Sequence, residues 1–433
     1  MQPAESGPLA ATGTPDVAVA VSPGVTEVGV YYGAGWGDEQ APPMSRRRAV
    51  WTLLVLAIAA FVFTCNEGSA VGVISVVAED LNRSEAVIGL MTTTFSVVGL
   101  LVSIPAALVL GRYSRRYALT ACVAVLTAGL VVVATAPSFE LLLVGRGVTA
   151  LGHASFWAIV TPTVAGLFRS GERGKSMTRL FMGASAAGIF GIPAVTMLAQ
   201  NVGWRAPYAV LAVMAALLTV TAFVVIPTFR AEQGTAARGI VPSWPIFMRI
   251  LVVCMLVVTS IGITWTFITP FAIDVSGLPA SAMPTLFFVG GISGLFSMWL
   301  VGRYLDQYPV RMVAYGLAGL ISMWALLALL GSIPAVMWVA VVLQAAAWAV
   351  LIASMVNWAI RHAPGSTDTA NATYATIFNA GITLGSLAGA ALLAGVGAAW
   401  LPVASLVVTV AAAVLVWTMR GATVARRSAT LAR

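Results

Sequence analysis

FVFTCNEGSAVGVISVVAEDLNRS, residues 61–84, holds a carboxylate, Glu67, in the middle of an apolar run. From Trp51 to Val77, Glu67 is the only charged side chain, and a run of that length crosses a hydrocarbon core of about 30 Å. An ionised carboxylate inside a bilayer is costly unless it faces a bundle interior or a water-filled path. Two readings follow together: the chain spans a membrane, and Glu67 is the leading candidate for a proton or substrate site.

Composition extends the first reading to the whole chain. With 60% hydrophobic residues, 9% charged residues and a mean hydropathy of +0.95, there is too little polar surface to cover a soluble globule of 433 residues. A net charge of +8 would point to nucleic acid in a soluble protein, but here the bases sit in short loops between apolar runs, where they set topology. No nucleic-acid partner is expected. Cys65, Cys122 and Cys254 each lie inside an apolar run and share no ligand spacing, so neither a disulfide, a metal site nor a cofactor is expected. Residues 1–44 carry five acids and no base, without the basic-then-apolar start of a signal peptide, and read with Ser45 as a disordered cytoplasmic tail.

Twelve apolar segments follow, at 50–76, 86–110, 117–136, 141–168, 177–201, 206–229, 246–273, 281–301, 311–331, 335–360, 369–395 and 400–419. With the N-terminus inside, twenty of the 23 bases fall on the cytoplasmic side and only Arg83, Arg146 and Arg205 do not. Both termini are therefore expected in the cytoplasm of a cell-membrane protein. The longest internal loop begins near Arg230 and separates six spans from six, and Gly111-Arg112-Tyr113 after span 2 is echoed by Gly302-Arg303-Tyr304 after span 8. The expected architecture is all-α: a tail at 1–45, a six-helix bundle at 46–229, a linker at 230–248, a second bundle at 249–419 and a tail at 420–433. Two pseudo-symmetric bundles with a midplane site between them suit alternating access.

Several stretches carry a family resemblance: the span 1 stretch around Glu67, GRYSRR at 111–116, RGVTALGHASFWAI at 146–159, GERGKSMTRLFMGASAAGIFGIP at 171–193, GWR at 203–205, TFITPF at 266–271 and IFNAGITLG at 377–385. Nearly everything after residue 48 resembles a major facilitator superfamily transporter of the drug:proton antiporter branch, with its arabinose and sugar efflux permeases and chloramphenicol-resistance exporters. The resemblance implies export of a small molecule in exchange for protons; a facilitator or importer of the same fold is the alternative. The chain departs from the superfamily pattern in having Gly111 where an acid normally precedes the loop arginine. It also has Gly191-Ile192-Pro193 where Gly and Pro are normally adjacent.

Arg146 and His153 lie seven residues apart on span 4, so both look the same way, and a rise of about 1.5 Å per residue from the span centres puts Glu67 between them in depth. The expected proton-coupling set is Glu67, Arg146 and His153, with Glu67 and Arg146 interacting across the cavity. Phe95, Phe156, Trp157, Trp265, Phe267, Gln344, Asn357, Phe378 and Asn379 are the expected cavity lining, a mixture suited to an amphiphilic, uncharged or weakly cationic ligand. Arg112, Arg115, Arg116, Asp306 and Arg311 are candidates for a cytoplasmic gate, the first three by meeting helix C-terminal carbonyls. Gly191 and Pro193 in span 5, and Gly381 and Gly385 in span 11, are expected at close helix contacts or hinges. Gly291-Ile292-Ser293-Gly294 resembles an intramembrane serine protease motif, but a nucleophilic Ser needs a nearby base, and the two histidines of the chain are in the other half or at a loop. The expected protein is a monomer in the lipid bilayer, handling a small molecule and protons.

Overall fold

The computed structural model describes residues 45–168, 172–228, 242–301, 309–365 and 367–431, and among them every regular element is helical. Twelve helices are long and apolar enough to cross a membrane: α1 Arg46–Asp80, α2 Glu85–Leu110, α3 Arg115–Thr135, α4 Phe139–Val164, α5 Lys175–Val202, α6 Arg205–Val225, α7 Trp244–Trp265, α8 Ala280–Leu300, α9 Arg311–Leu330, α10 Pro334–Arg361, α11 Ala370–Gly395 and α12 Ala398–Met419.

Local chemistry accounts for the ends. α1 starts where the Ser45 hydroxyl accepts from the Arg48 amide at 3.4 Å. It then outruns the expected span at both ends, because Arg46–Arg48 and Glu79–Asp80 can project beyond the hydrocarbon. α7 begins at Trp244, inside the stretch expected as linker, with Pro245 in its first turn, where no amide is needed. It stops at Trp265 instead of continuing to 273: Pro270 has no N–H to give to Thr266, and the chain turns at Phe267 before a short helical piece, Ile268–Pro270, and a π-turn, Phe271–Val275. Beyond Met419 the helix of α12 continues to Leu431, past the expected start of the tail.

The packing has a six-helix repeat. α3 packs on α4 and α6, α2 on α4, and α1 on α5 and α6; adding six to every number gives the second set, α9 on α10 and α12, α8 on α10, and α7 on α11 and α12. The sets meet through α2 with α11 and α5 with α8, two contacts that the same renumbering exchanges. Small residues permit the tightest of these approaches. A Cβ at Gly183 would strike the Ala57 carbonyl, and one at Gly191 the Cys65 sulfur, so α5 lies directly on α1. A Cβ at Gly385 would strike the Thr259 carbonyl and one at Gly381 would lie 3.0 Å from the Met255 carbonyl, so α11 lies as closely on α7. In α5 a π-turn over Ala187–Gly191 precedes Pro193, which cannot donate to the Ile189 carbonyl; the widened turn absorbs the missing bond.

Hydrogen bonds that cross between the two sets run from the midplane to the end carrying Asp80, hereafter the sealed end. The Thr93 and Ser386 hydroxyls meet at 2.8 Å, Thr383 donates to Ser96 at 2.9 Å, Thr269 to the Val71 carbonyl at 2.7 Å, and Gln200 to the Ala280 carbonyl at 2.7 Å. The opposite end carries Arg46, Arg112, Arg116, Arg249, Arg311 and Arg361 and is called the basic end.

Candidate translocation site

On α1, Asn66 and Glu67 are neighbours in sequence but about 100° apart around the helix. Asn66 is completely buried, whereas 47% of the Glu67 side chain is exposed. This one-residue distinction arranges the site. Arg146, also completely buried, sends Nη1 to the Asn66 carbonyl at 2.8 Å and to Asn66 Oδ1 at 3.1 Å. Its guanidinium lies over the Phe95 ring, 4.8 Å from the centroid. His153, two turns along α4, places Nε2 3.7 Å from Glu67 Oε2. Arg146 and His153 share a face as their spacing requires, yet Glu67 pairs with His153 rather than with Arg146. Glu67 therefore meets Arg146 only through longer-range electrostatics, because the residue that α1 turns toward Arg146 is Asn66.

Asn66, the partner of Arg146, is not singled out by the sequence, where its signal is adjacency to Glu67. Its carbonyl accepts a second hydrogen bond, from Ser69 at 2.7 Å, and the Ser69 hydroxyl meets Tyr208 of α6 at 2.9 Å. Three helices, α1, α4 and α6, are thus tied through one buried polar network, the arrangement in which hydrogen bonds in low dielectric are most costly to break.

Aromatic rings enclose the histidine. Phe95 stands 5.1 Å from His153, Phe63 5.8 Å and Trp157 6.3 Å, and Trp157 stacks on Phe181 of α5 at 5.8 Å. Phe181 was not singled out from sequence, and it is 46% exposed. Of the expected lining, Phe95 and Trp157 belong to this cluster. Phe156 does not: it has no exposed surface and stacks on Phe63 at 4.4 Å in the bundle core. Phe267 is likewise fully buried, because the break after Trp265 turns its ring into the seam where the Cα atoms of Gly89 and Gly389 leave room. Both are therefore core residues in this conformation, not lining.

The second bundle contributes fewer exposed groups. Trp265 is half-buried against Phe287 at 6.3 Å, and Phe378 packs on Trp348 at 5.9 Å. Asn379 donates to the Ala375 carbonyl at 2.9 Å and presses its side-chain oxygen toward Gly99 of α2, so it sits in the seam between the bundles. Gln344 is 5% exposed, enclosed by Trp265, Met323, Trp324 and Val341 in a space too tight for a ligand. Asn357 lies nearer the basic end and accepts from Arg361 at 3.3 Å.

At the basic end, Arg116 donates to the Ile226 carbonyl that closes α6 at 2.7 Å, the kind of partner expected for a loop base. Arg112 and Arg311 are exposed, Arg115 is buried, and Asp306 lies outside the described residues. At the sealed end the GWR stretch makes a corner. Gly203 takes φ +104°, Trp204 donates to Asp80 at 2.9 Å, and Arg205 reaches both Asp80 at 2.7 Å and the Ala136 carbonyl at 2.9 Å, binding the ends of α1, α3 and α6 together. Ser293 donates to the Val342 carbonyl at 2.9 Å.

Two bundles related by a six-helix repeat, with a half-exposed carboxylate well inside a membrane-long helix, are the architecture of a membrane transporter rather than an enzyme. The chain belongs to the Major Facilitator Superfamily, whose sequence model matches residues 56–378. It is 28% identical over 345 residues to a probable sugar efflux transporter of Haemophilus influenzae, covering 78% of this chain and 85% of that one. It is 29% identical over 365 residues to a chloramphenicol efflux pump of Mycobacterium tuberculosis, covering 80% and 86%. The fold matches that of a bacterial homologue of the human lysosomal transporter Spinster, solved inward-facing and unoccupied, with a TM-score of 0.69, 17% identity and coverage of 87% of this chain and 97% of that one. A nucleoside transporter, NupG, matches with a TM-score of 0.69 at 15% identity, over 86% and 99%.

Proposed function

We propose that the protein exports a small amphiphilic molecule, of the kind represented by chloramphenicol-like antibiotics or sugars, in exchange for protons. The observation that carries this reading is the Glu67–His153 pair, 3.7 Å apart, at the centre of the membrane-spanning bundle and with the carboxylate half-exposed. An acid kept solvent-accessible at that depth can take up and release a proton during each cycle. The two efflux relatives support export. The excess of bases at one end supports cytoplasmic termini in a cell membrane, which makes the present conformation, closed at the sealed end, the inward-open one. One chain supplies both bundles, and the working unit is a monomer.

In the cycle, the inward-open protein with Glu67 ionised binds substrate among Phe95, Trp157, Phe181 and the amide of Asn379. After rocking outward, a proton from outside neutralises Glu67 and substrate leaves. Protonation resets the cycle. One charge moved through 100 mV is worth about 2.3 kcal/mol, roughly a fifty-fold concentration ratio, before any pH gradient is added.

Glu67→Gln imitates the protonated carboxyl. In proteoliposomes it should insert and exchange substrate down a gradient but fail to drive efflux uphill under a proton gradient. Uphill efflux at the wild-type rate and pH dependence would remove Glu67 from coupling. A susceptibility panel together with sugar accumulation in a pump-deficient host identifies the substrate, and accumulation rising for every transported compound would reverse the direction.

A further inference from the structure

Arg146 and Arg115 are both buried; Arg146 keeps one guanidinium nitrogen, Nη1, bonded to Asn66 and leaves Nε and Nη2 without a partner, whereas the Arg115 side chain makes no hydrogen bond among the described residues. Arg115 is the first residue of α3 and 4% exposed, yet its Nε and Nη1 are buried without any hydrogen-bond partner, and no ion pair engages it among the described residues. A buried charge without a counter-charge is among the most expensive arrangements in a protein. The position where the superfamily resemblance leads one to expect an acid is Gly111, which has no carboxylate to offer.

The surroundings of Arg115 are those of an anion site. Ser114, the residue that caps α3, makes no capping hydrogen bond, and its hydroxyl is also buried without a partner. The amides of Arg115, Arg116 and Tyr117 open a helix of 21 residues and have no intrahelical acceptor. Side chains in a helix lean toward its N-terminus, the end that carries those amides. Orphan N–H groups, an orphan hydroxyl and the positive end of the helix dipole thus all belong to the first turn of α3.

Its setting points to the kind of anion. Tyr113 and Tyr117 flank the site at 57% and 56% exposure, as aromatic residues do at a membrane interface. Across the end of α6, where Arg48 and Arg116 bind the Val225 and Ile226 carbonyls, opens a groove of about 430 Å³ lined by Arg47, Arg48 and Trp51. We propose that Arg115, Ser114 and the first-turn amides of α3 bind a phosphate oxyanion, supplied either by a phospholipid headgroup or by free phosphate. The planar guanidinium can give two parallel N–H···O bonds to such a group, and occupation of the site supplies the counter-charge that none of the described residues provides. This holds whatever the protein transports.

The test is thermal melting of the delipidated full-length protein in an uncharged detergent. It is titrated with phosphatidylglycerol, with inorganic phosphate, and with monoolein as a lipid that has no phosphate. Either phosphatidylglycerol or inorganic phosphate should raise the wild-type Tm by about 3 °C, and monoolein should not. A rise with phosphatidylglycerol alone assigns the headgroup; a rise of equal size with inorganic phosphate assigns the free ion. Arg115→Met keeps length and apolar stem but loses the charge, so it should abolish the rise while melting no lower than the bare wild type. Arg112→Ala, an equal change of net charge three residues away, should keep the rise. The proposal fails if Arg115→Met retains the rise, if Arg112→Ala loses as much, or if neither phosphate source moves the wild type. Should Arg115→Met not fold, native mass spectrometry of the wild type decides: one phosphate-bearing adduct supports the site, and a bare chain under saturating ligand overturns it.

Discussion

The seam between α1 and α6 and its counterpart between α7 and α12 each centre on a buried serine but differ in how it is bonded and in the charges nearby. In the first, Ser69 donates to the Asn66 carbonyl at 2.7 Å and meets Tyr208 at 2.9 Å. In the second, Ser405 donates to the Ser260 carbonyl at 2.7 Å and meets Thr264 at 2.6 Å. Each bundle also has a glycine-lined approach, α5 on α1 and α11 on α7. Yet Glu67, Arg146 and His153 have no charged equivalents in the second bundle, where Arg249, Asp274, Arg311 and Arg361 all lie near helix ends. Packing repeats because the same helix-on-helix problem must be solved twice. Charge does not repeat, and a second charged group within the membrane would add a further burial cost.

The glycine approaches give the largest test of this likeness. Gly183→Val and Gly385→Val each drive a side chain into a backbone carbonyl that cannot yield, and each should cost about 3 kcal/mol or abolish the folded, monodisperse protein on size-exclusion chromatography. A variant that folds normally in one bundle and not in the other would break the equivalence. Next comes the charge that only one bundle has. Arg146→Met should cost about 2 kcal/mol, measured by thermal melting, since the Asn66 carbonyl and side-chain oxygen lose their charged donor. Transport should fall with it, and an unchanged Tm would mean that the buried network holds α1 without Arg146.

Smaller effects sharpen the comparison. Ser69→Ala removes one bond across its seam and one within α1, Ser405→Ala two across its seam, and each should lower stability by about 1 kcal/mol, alike to within about 0.5 kcal/mol. Unequal losses would show that Tyr208 gives the first seam a strength that the second lacks. The smallest change belongs to the basic end, where Arg112→Ala should slow turnover by roughly two- to fivefold, the value of about 0.3–1 kcal/mol from a cation at a helix terminus. Membrane insertion and substrate affinity should stay nearly constant; normal turnover would leave Arg112 only its part in orienting the chain.

Much of the architecture could be read before any coordinates. Twelve spans, their division into two sixes, the close approaches at Gly191, Gly381 and Gly385, and the intramembrane trio of Glu67, Arg146 and His153 all follow from hydropathy, base placement and helical spacing. These are properties of one helix in its medium, and the bilayer penalises polar groups strongly enough to make them legible. Tertiary packing alone decided which neighbour each side chain meets. Asn66 rather than Glu67 faces Arg146 because a step of one residue turns a side chain by about 100°, and the rotation of α1 is set by its contacts with α5 and α6. Phe267 became a plug and Arg115 an orphan for the same reason: burial depends on what a second and third helix bring to the place, and no local pattern in the chain records that.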